Sequence, residues 1–103
     1  MIESKLIVPV NYNDGKPVPN SWFSGLELQL IEAFGGLTVH DATGSWKTPT
    51  GSIKREAVRV YTIAHPEGRF SWSPIVLDFA RSVKKDLTQE AVYVSIGGKV
   101  EFV

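Results

Sequence analysis

Between Arg55 and His65 the chain alternates for longer than anywhere else in the sequence. Glu56, Val58, Val60, Thr62 and Ala64 would lie on one side of an extended strand, and Arg55, Ala57, Arg59, Tyr61, Ile63 and His65 on the other. A strand of this length needs partners along its whole edge, so the chain must supply a sheet. Residues 2–10 alternate in the same way, with Leu6, Val8 and Val10 opposed to Lys5, Ile7 and Pro9, and Pro9 falls near the strand end where a missing N–H is tolerated. Leu37 to Ala42 reads as another strand. The segment from Thr43 to Ile53 reads as an irregular loop holding Trp46. Ala91 to Ile96 and Lys99 to Val103 read as two strands joined by a Gly97-Gly98 hairpin.

Two helices interrupt these strands. Ser24-Gly-Leu-Glu27 has the form of a capping box and is the expected start, with an earlier one at Asn20 or Ser21 as the alternative. Phe23, Leu26, Leu30 and Phe34 form its stripe, widened by Ile31, while Glu27, Gln29 and Glu32 are expected to point away. Gly35-Gly36 ends it. Pro66-Glu-Gly68 reads as a turn and Ser73-Pro74 as the start of a second helix, with Val76, Phe79, Ala80, Val83 and Leu87 buried and Lys84-Lys85 near its negative end. The order βαββαββ, on a chain of 103 residues, predicts a single α+β domain spanning 1–103: a ferredoxin-like sandwich, an antiparallel sheet with both helices on one face and an extra C-terminal hairpin strand. The other sheet face is expected to carry Ile7, Tyr61, Ile63 and Tyr93, too apolar for solvent, and so to be covered by another subunit.

Charge and composition narrow the function classes. Eleven basic and eleven acidic residues leave zero formal charge, so no global field draws the chain to nucleic acid or an anionic membrane; neither is expected as a partner. With no cysteine there is no disulfide, thiolate metal site or Cys nucleophile. No apolar run approaches the roughly 20 residues of a membrane span, and the first residues lack the pattern of a signal peptide, so a cytoplasmic protein is the expectation. The two histidines, His40 and His65, lack metal-ligand spacing, adjacent His40 and Asp41 point to opposite faces of a strand, and Gly44 to Gly51 fits no phosphate-loop pattern.

Two residues stand out chemically. Glu56, opening the long strand, suits a cationic ligand or work as a base, but the commoner role of such an acid is an ion pair, here with Lys54, Arg55 or Arg59. Trp46, between Gly44 and Gly51, can stack on a planar ring or wall a cation site, and can equally plug the end of the core.

The central stretch resembles two families. Gly36-Leu-Thr-Val39, Asp41-Ala42, Gly44-Ser-Trp46, Glu56 and Gln89-Glu-Ala-Val92 are similar to the pattern of an uncharacterised bacterial domain family of about this length. Thr43-Gly-Ser-Trp46, Glu56 and Val58-Arg-Val60, together with Ala80-Arg81 through Gln89-Glu-Ala-Val-Tyr-Val94, resemble the S-adenosylmethionine lyases of bacteriophages, over roughly half of the chain. Trp46 stands where those lyases usually have Tyr, and their longer C-terminal part has no counterpart here. The lyase resemblance implies a ferredoxin-like, oligomeric protein, a trimer before a dimer, with small-molecule sites between subunits. It implies Glu56 as the catalytic residue, near the positive sulfonium or ammonium of the ligand, and Trp46, Thr43, Gly44, Arg59 and Tyr61 as ligand contacts. The implied reaction is attack of the substrate's own carboxylate on the carbon beside its sulfonium, giving methylthioadenosine and homoserine lactone with no cofactor and no metal. The alternative is a non-enzymatic binding or assembly module in which the same residues pack and pair.

Overall fold

The structure, a computed structural model, describes residues 1–66 and 72–103. The elements run β1 (Ile2–Pro9), α1 (Asn20–Phe34), β2 (Thr38–Lys47), β3 (Ile53–His65), α2 (Trp72–Asp86), β4 (Tyr93–Ile96) and β5 (Lys99–Phe102). One sheet holds all five strands in the order β2-β3-β1-β4-β5, every neighbouring pair antiparallel. The first four strands follow the ferredoxin-like order, and β5 extends the sheet past β4 as the expected hairpin. Gly97 and Gly98 take φ of +57° and +88°, the left-handed pair that a tight two-residue turn requires. Among the described residues no helix is long and apolar enough to cross a membrane.

One face of the sheet meets the helices. Leu6 and Val8 of β1, Tyr61 and Ile63 of β3 and Val94 of β4 close on Phe23, Leu26 and Leu30 of α1 and Val76, Ala80, Val83 and Leu87 beyond. Tyr61 and Ile63 therefore belong to the core and not, as expected, to the uncovered face. Leu6 pairs with Tyr61, and directly opposed residues of an antiparallel ladder share a face, so the β1 register decides the matter. Both sides of β3 are apolar in its second half, which is why alternation alone could not orient it. Ile7 and Tyr93 do lie on the uncovered face, where Ile7 stands opposite Val60.

Helix α1 begins at Asn20, without a side-chain cap, so Ser24 is an interior residue and the capping box does not form. Its end is as expected: Gly35 sits at φ +81° and donates its N–H to the Ile31 carbonyl. Ile31 is exposed and lies outside the stripe. Ser73 and Pro74 fall inside the first turn of α2; the expected turn at Glu67 and Gly68 lies outside the described residues.

The largest departure is at the expected loop after Ala42. β2 continues through Lys47, and the chain reverses at Thr48-Pro49-Thr50-Gly51, where the Gly51 N–H reaches the Thr48 carbonyl and Gly51 takes φ +90°. Pro before and Gly at the end of such a turn are favoured for their fixed and left-handed φ. Trp46 is thus a strand residue, paired with Lys54. β3 pairs with β1 only from Val58 onward, so the turn end of the β2–β3 ribbon projects past the rest of the sheet.

Candidate functional site

The projecting ribbon carries the residues singled out by sequence, divided between its two faces. In the β2–β3 register Gly44 stands opposite Glu56 and Trp46 opposite Lys54, which puts Gly44, Trp46 and Glu56 on the face that the helices leave uncovered. Trp46 and Glu56 are diagonal neighbours, a separation of about 7–8 Å between backbones that an indole spans. Gly44 contributes no side chain across from the carboxylate. Val58, next along the same face, is 5% exposed and floors the surface, and His40 and Ala42 continue it along β2.

Glu56 is half-buried. Burial raises the pKa of its carboxyl above the ordinary value, against the lowering influence of Lys54. Among the described residues it has neither an ion pair nor a side-chain hydrogen bond, although Arg55 adjoins it and Lys54 lies two residues away on the same face. The bland expectation of a strand-end ion pair is therefore not what the side chains do. Trp46 does not plug the core either, being 42% exposed.

Thr43, Arg59 and Tyr61 lie on the opposite, helix-covered side: Thr43 faces Ala57, Asp41 faces Arg59 and Val39 faces Tyr61. They do not join Trp46 and Glu56 on one chain. Arg59 instead reaches Glu27 of α1 at 3.4 Å and Asp41 at 3.6 Å, with its guanidinium 4.4 Å above the Phe23 ring. Tyr61, fully buried, donates its hydroxyl to the same Glu27 oxygen at 2.8 Å. Desolvation opposes the Arg59 charge, but Tyr61 and the two carboxylates outweigh it and raise the pKa. For Tyr61, burial first and the Glu27 carboxylate second drive the pKa upward, so the phenol keeps its proton.

Glu27 was expected to point away from the core. It lies four residues after Phe23, beside the buried stripe, and that spacing is the signal that places it over the sheet.

Two cavities, of about 330 and 430 Å³, lie at the far end of the sheet, lined in part by Ile2, His65 and Trp72 and by Phe34, Leu37 and Thr62 respectively. Neither is lined by Trp46 or Glu56. No cluster of three or more His, Cys, Asp or Glu side chains gathers among the described residues, so no donor set there suits a metal ion. The surface at Glu56 offers a desolvated negative charge, an indole and an apolar floor, a combination suited to an organic cation.

Two solved structures share this fold. A phage SAM lyase in complex with S-methyl-5'-thioadenosine superimposes with a TM-score of 0.74 at 13% identity, covering 99% of this chain and 88% of that one. A phage SAM lyase in the apo state gives a TM-score of 0.70 at 16% identity, covering 99% and 87%. At these identities the likeness is one of fold. No family model and no curated protein matches the chain.

Proposed function

We propose that the protein binds a small organic cation on its uncovered sheet face, at a boundary between subunits, with chemistry like that of S-adenosylmethionine lyases. The observation that carries this reading is the Glu56 carboxylate, half-buried and without an ion-pair partner among the described residues, on the same face as Trp46. The shared fold of the phage SAM lyases supports the choice of substrate. In the reaction a carboxylate oxygen of the substrate bonds to the carbon next to sulfur, the carbon–sulfur bond breaks, and its electron pair neutralises the sulfonium. Methylthioadenosine and homoserine lactone result, with no proton to place and no nucleophile from the protein; what the protein supplies is a folded substrate held near a negative charge. Glu56 faces the cation, Trp46 packs on the ligand and Gly44 leaves room across from the carboxylate. The surface of one chain is open, so a second copy closes it, in a trimer before a dimer; Thr43 and Arg59 reach such a ligand only from another copy.

A thermal-shift titration with S-adenosylmethionine, followed by chromatography for methylthioadenosine, tests the proposal. Binding at a hundredfold excess over Kd stabilises by about 2.7 kcal/mol, an evident shift. Product formation that Glu56→Gln abolishes, with the fold retained, is the expected result. Absence of both shift and product removes the lyase reading. It would favour the second reading, an assembly module, for which the specific observation is the exposure of Trp46, Val100 and Phe102 on one sheet face at 42%, 48% and 71%.

A further inference from the structure

We propose that β2 is a self-pairing edge, joining two copies of this chain into one continuous sheet with Gly44 at the two-fold axis. β2 ends the sheet and is ten residues long, without proline. Its pairing with β3 runs from Thr38 to Lys47 without interruption, so no bulge turns the edge away. Folded proteins ordinarily blunt such an edge with one of those devices.

The ladder shows which backbone groups are free to pair. Thr48 donates its N–H to Ser52 across the ribbon, and Val10 donates to Ala57 on the other side of β3. In an antiparallel ladder these roles alternate, so the even-numbered residues of β2 turn their backbone groups to β3. Val39, Asp41, Thr43, Ser45 and Lys47 turn theirs outward. An antiparallel partner must therefore match odd residues with odd residues, which a two-fold axis through Gly44 does.

Side chains select this register over its neighbours. It sets Asp41 of one copy against Lys47 of the other, twice by symmetry, and Thr43 against Ser45. On the uncovered face it sets Ala42 against Trp46, a small side chain against the largest. Asp41 is 84% exposed, held only by Arg59 at 3.6 Å, and Lys47 has no ion pair among the described residues. The two-fold keeps both α1 helices on the same side of the joined sheet. There Ile31, one turn on from the sheet-facing Glu27, and Val39 of β2 itself are exposed at 44% and 39%. Two apolar side chains on the helix-covered side of an unpaired edge suit a second copy of the same surface. The pairing does not depend on a ligand, and it uses the edge, not the face assigned above to subunit contact.

Because the chain has no cysteine, single-cysteine variants report the pairing directly. A Cβ added at Gly44 meets only Val58 Cγ1, at 3.6 Å, so Gly44→Cys fits the fold. Under mild oxidation it should form a covalent dimer far faster than Thr50→Cys at the exposed turn. Ala42→Cys alone should stay single-chain, and Ala42→Cys mixed with Trp46→Cys should cross-link. In sedimentation equilibrium, Asp41→Lys and Lys47→Asp should each weaken association roughly tenfold or more, and the two together should restore it. Gly44→Cys cross-linking no faster than Thr50→Cys overturns the register. A double charge swap as weak as its single variants overturns the pairing.

Discussion

Tyr61 donates its phenolic hydrogen to the Glu27 carboxylate at 2.8 Å, and this contact ties the buried middle of β3 to α1. The same oxygen takes the longer contact from Arg59 at 3.4 Å, so one carboxylate gathers a phenol and a guanidinium at the border of core and solvent. Removing the hydroxyl leaves the acceptor with its weaker partner only. Tyr61→Phe should destabilise the chain by about 1–3 kcal/mol in urea denaturation with an unchanged slope. A loss near zero would show that water replaces the phenol without cost.

A second buried polar pair stands inside the sheet. The Ser4 hydroxyl lies 2.7 Å from Nε2 of His65, both residues almost wholly buried, and Nδ1 lies 3.1 Å from the Pro66 carbonyl. With Nδ1 donating to that carbonyl, Nε2 accepts from Ser4. Ser4→Ala leaves the ring nitrogen without this donor and should cost about 1–3 kcal/mol. Calorimetry that finds Ser4→Ala as stable as the parent would contradict this account.

The raised pKa of Glu56 gives stability a definite pH dependence. The folded chain holds this proton more tightly than the unfolded chain, whose carboxyl titrates near its ordinary value of 4.5. The contribution of this group is fully present below that value and is lost as pH rises through it to the higher folded value. Glu56→Gln should therefore be the more stable protein at neutral pH, with the difference shrinking in acid. A bound cation acts in the opposite sense, stabilising the charged carboxylate and favouring the parent. Melting curves of both proteins from pH 4 to 8, with and without ligand, test the sign of each.

Exposure separates Trp46 from the true core. Leu30 is fully buried, and Leu30→Ala should cost about 2–5 kcal/mol. Trp46→Ala removes a side chain that is 42% exposed and should change the stability of the isolated chain by less than about 1 kcal/mol, while weakening ligand binding or association. A large loss in the dilute, ligand-free protein would make Trp46 structural.

Much of this architecture was legible because its signals are local. The βαββαββ order, the Gly35 helix end and the Gly97-Gly98 hairpin each follow from period or turn chemistry within a few residues. The orientation of β3 was not, because Val58 and Val60 on one side compete with Tyr61 and Ile63 on the other, and only the register with Leu6 decides. The ribbon end was missed for a different reason. Gly is depleted in strands, so Gly44 made Thr43-Gly-Ser read as a loop, although Pro49 and Gly51 already marked the turn further on. The candidate site was half legible: Trp46 and Glu56 do share a face, whereas Glu27, the acceptor that Arg59 and Tyr61 share, lies in a helix, beyond the reach of strand alternation.

The central strand of the sheet, β1, is also the first of the five to be synthesised. Its neighbours β3 and β4 meet it at Val58 to His65 and Val94 to Ile96, so it gains neither until most of the chain exists. Loop closure over such separations is slow, whereas β2 and β3 join through a short turn. The expected order of assembly is that the β2–β3 ribbon zips first and presents one edge on which β1 docks, and β4 then seals the other side. Until it docks, β1 has two open edges and carries Leu6, Ile7 and Val8 unshielded.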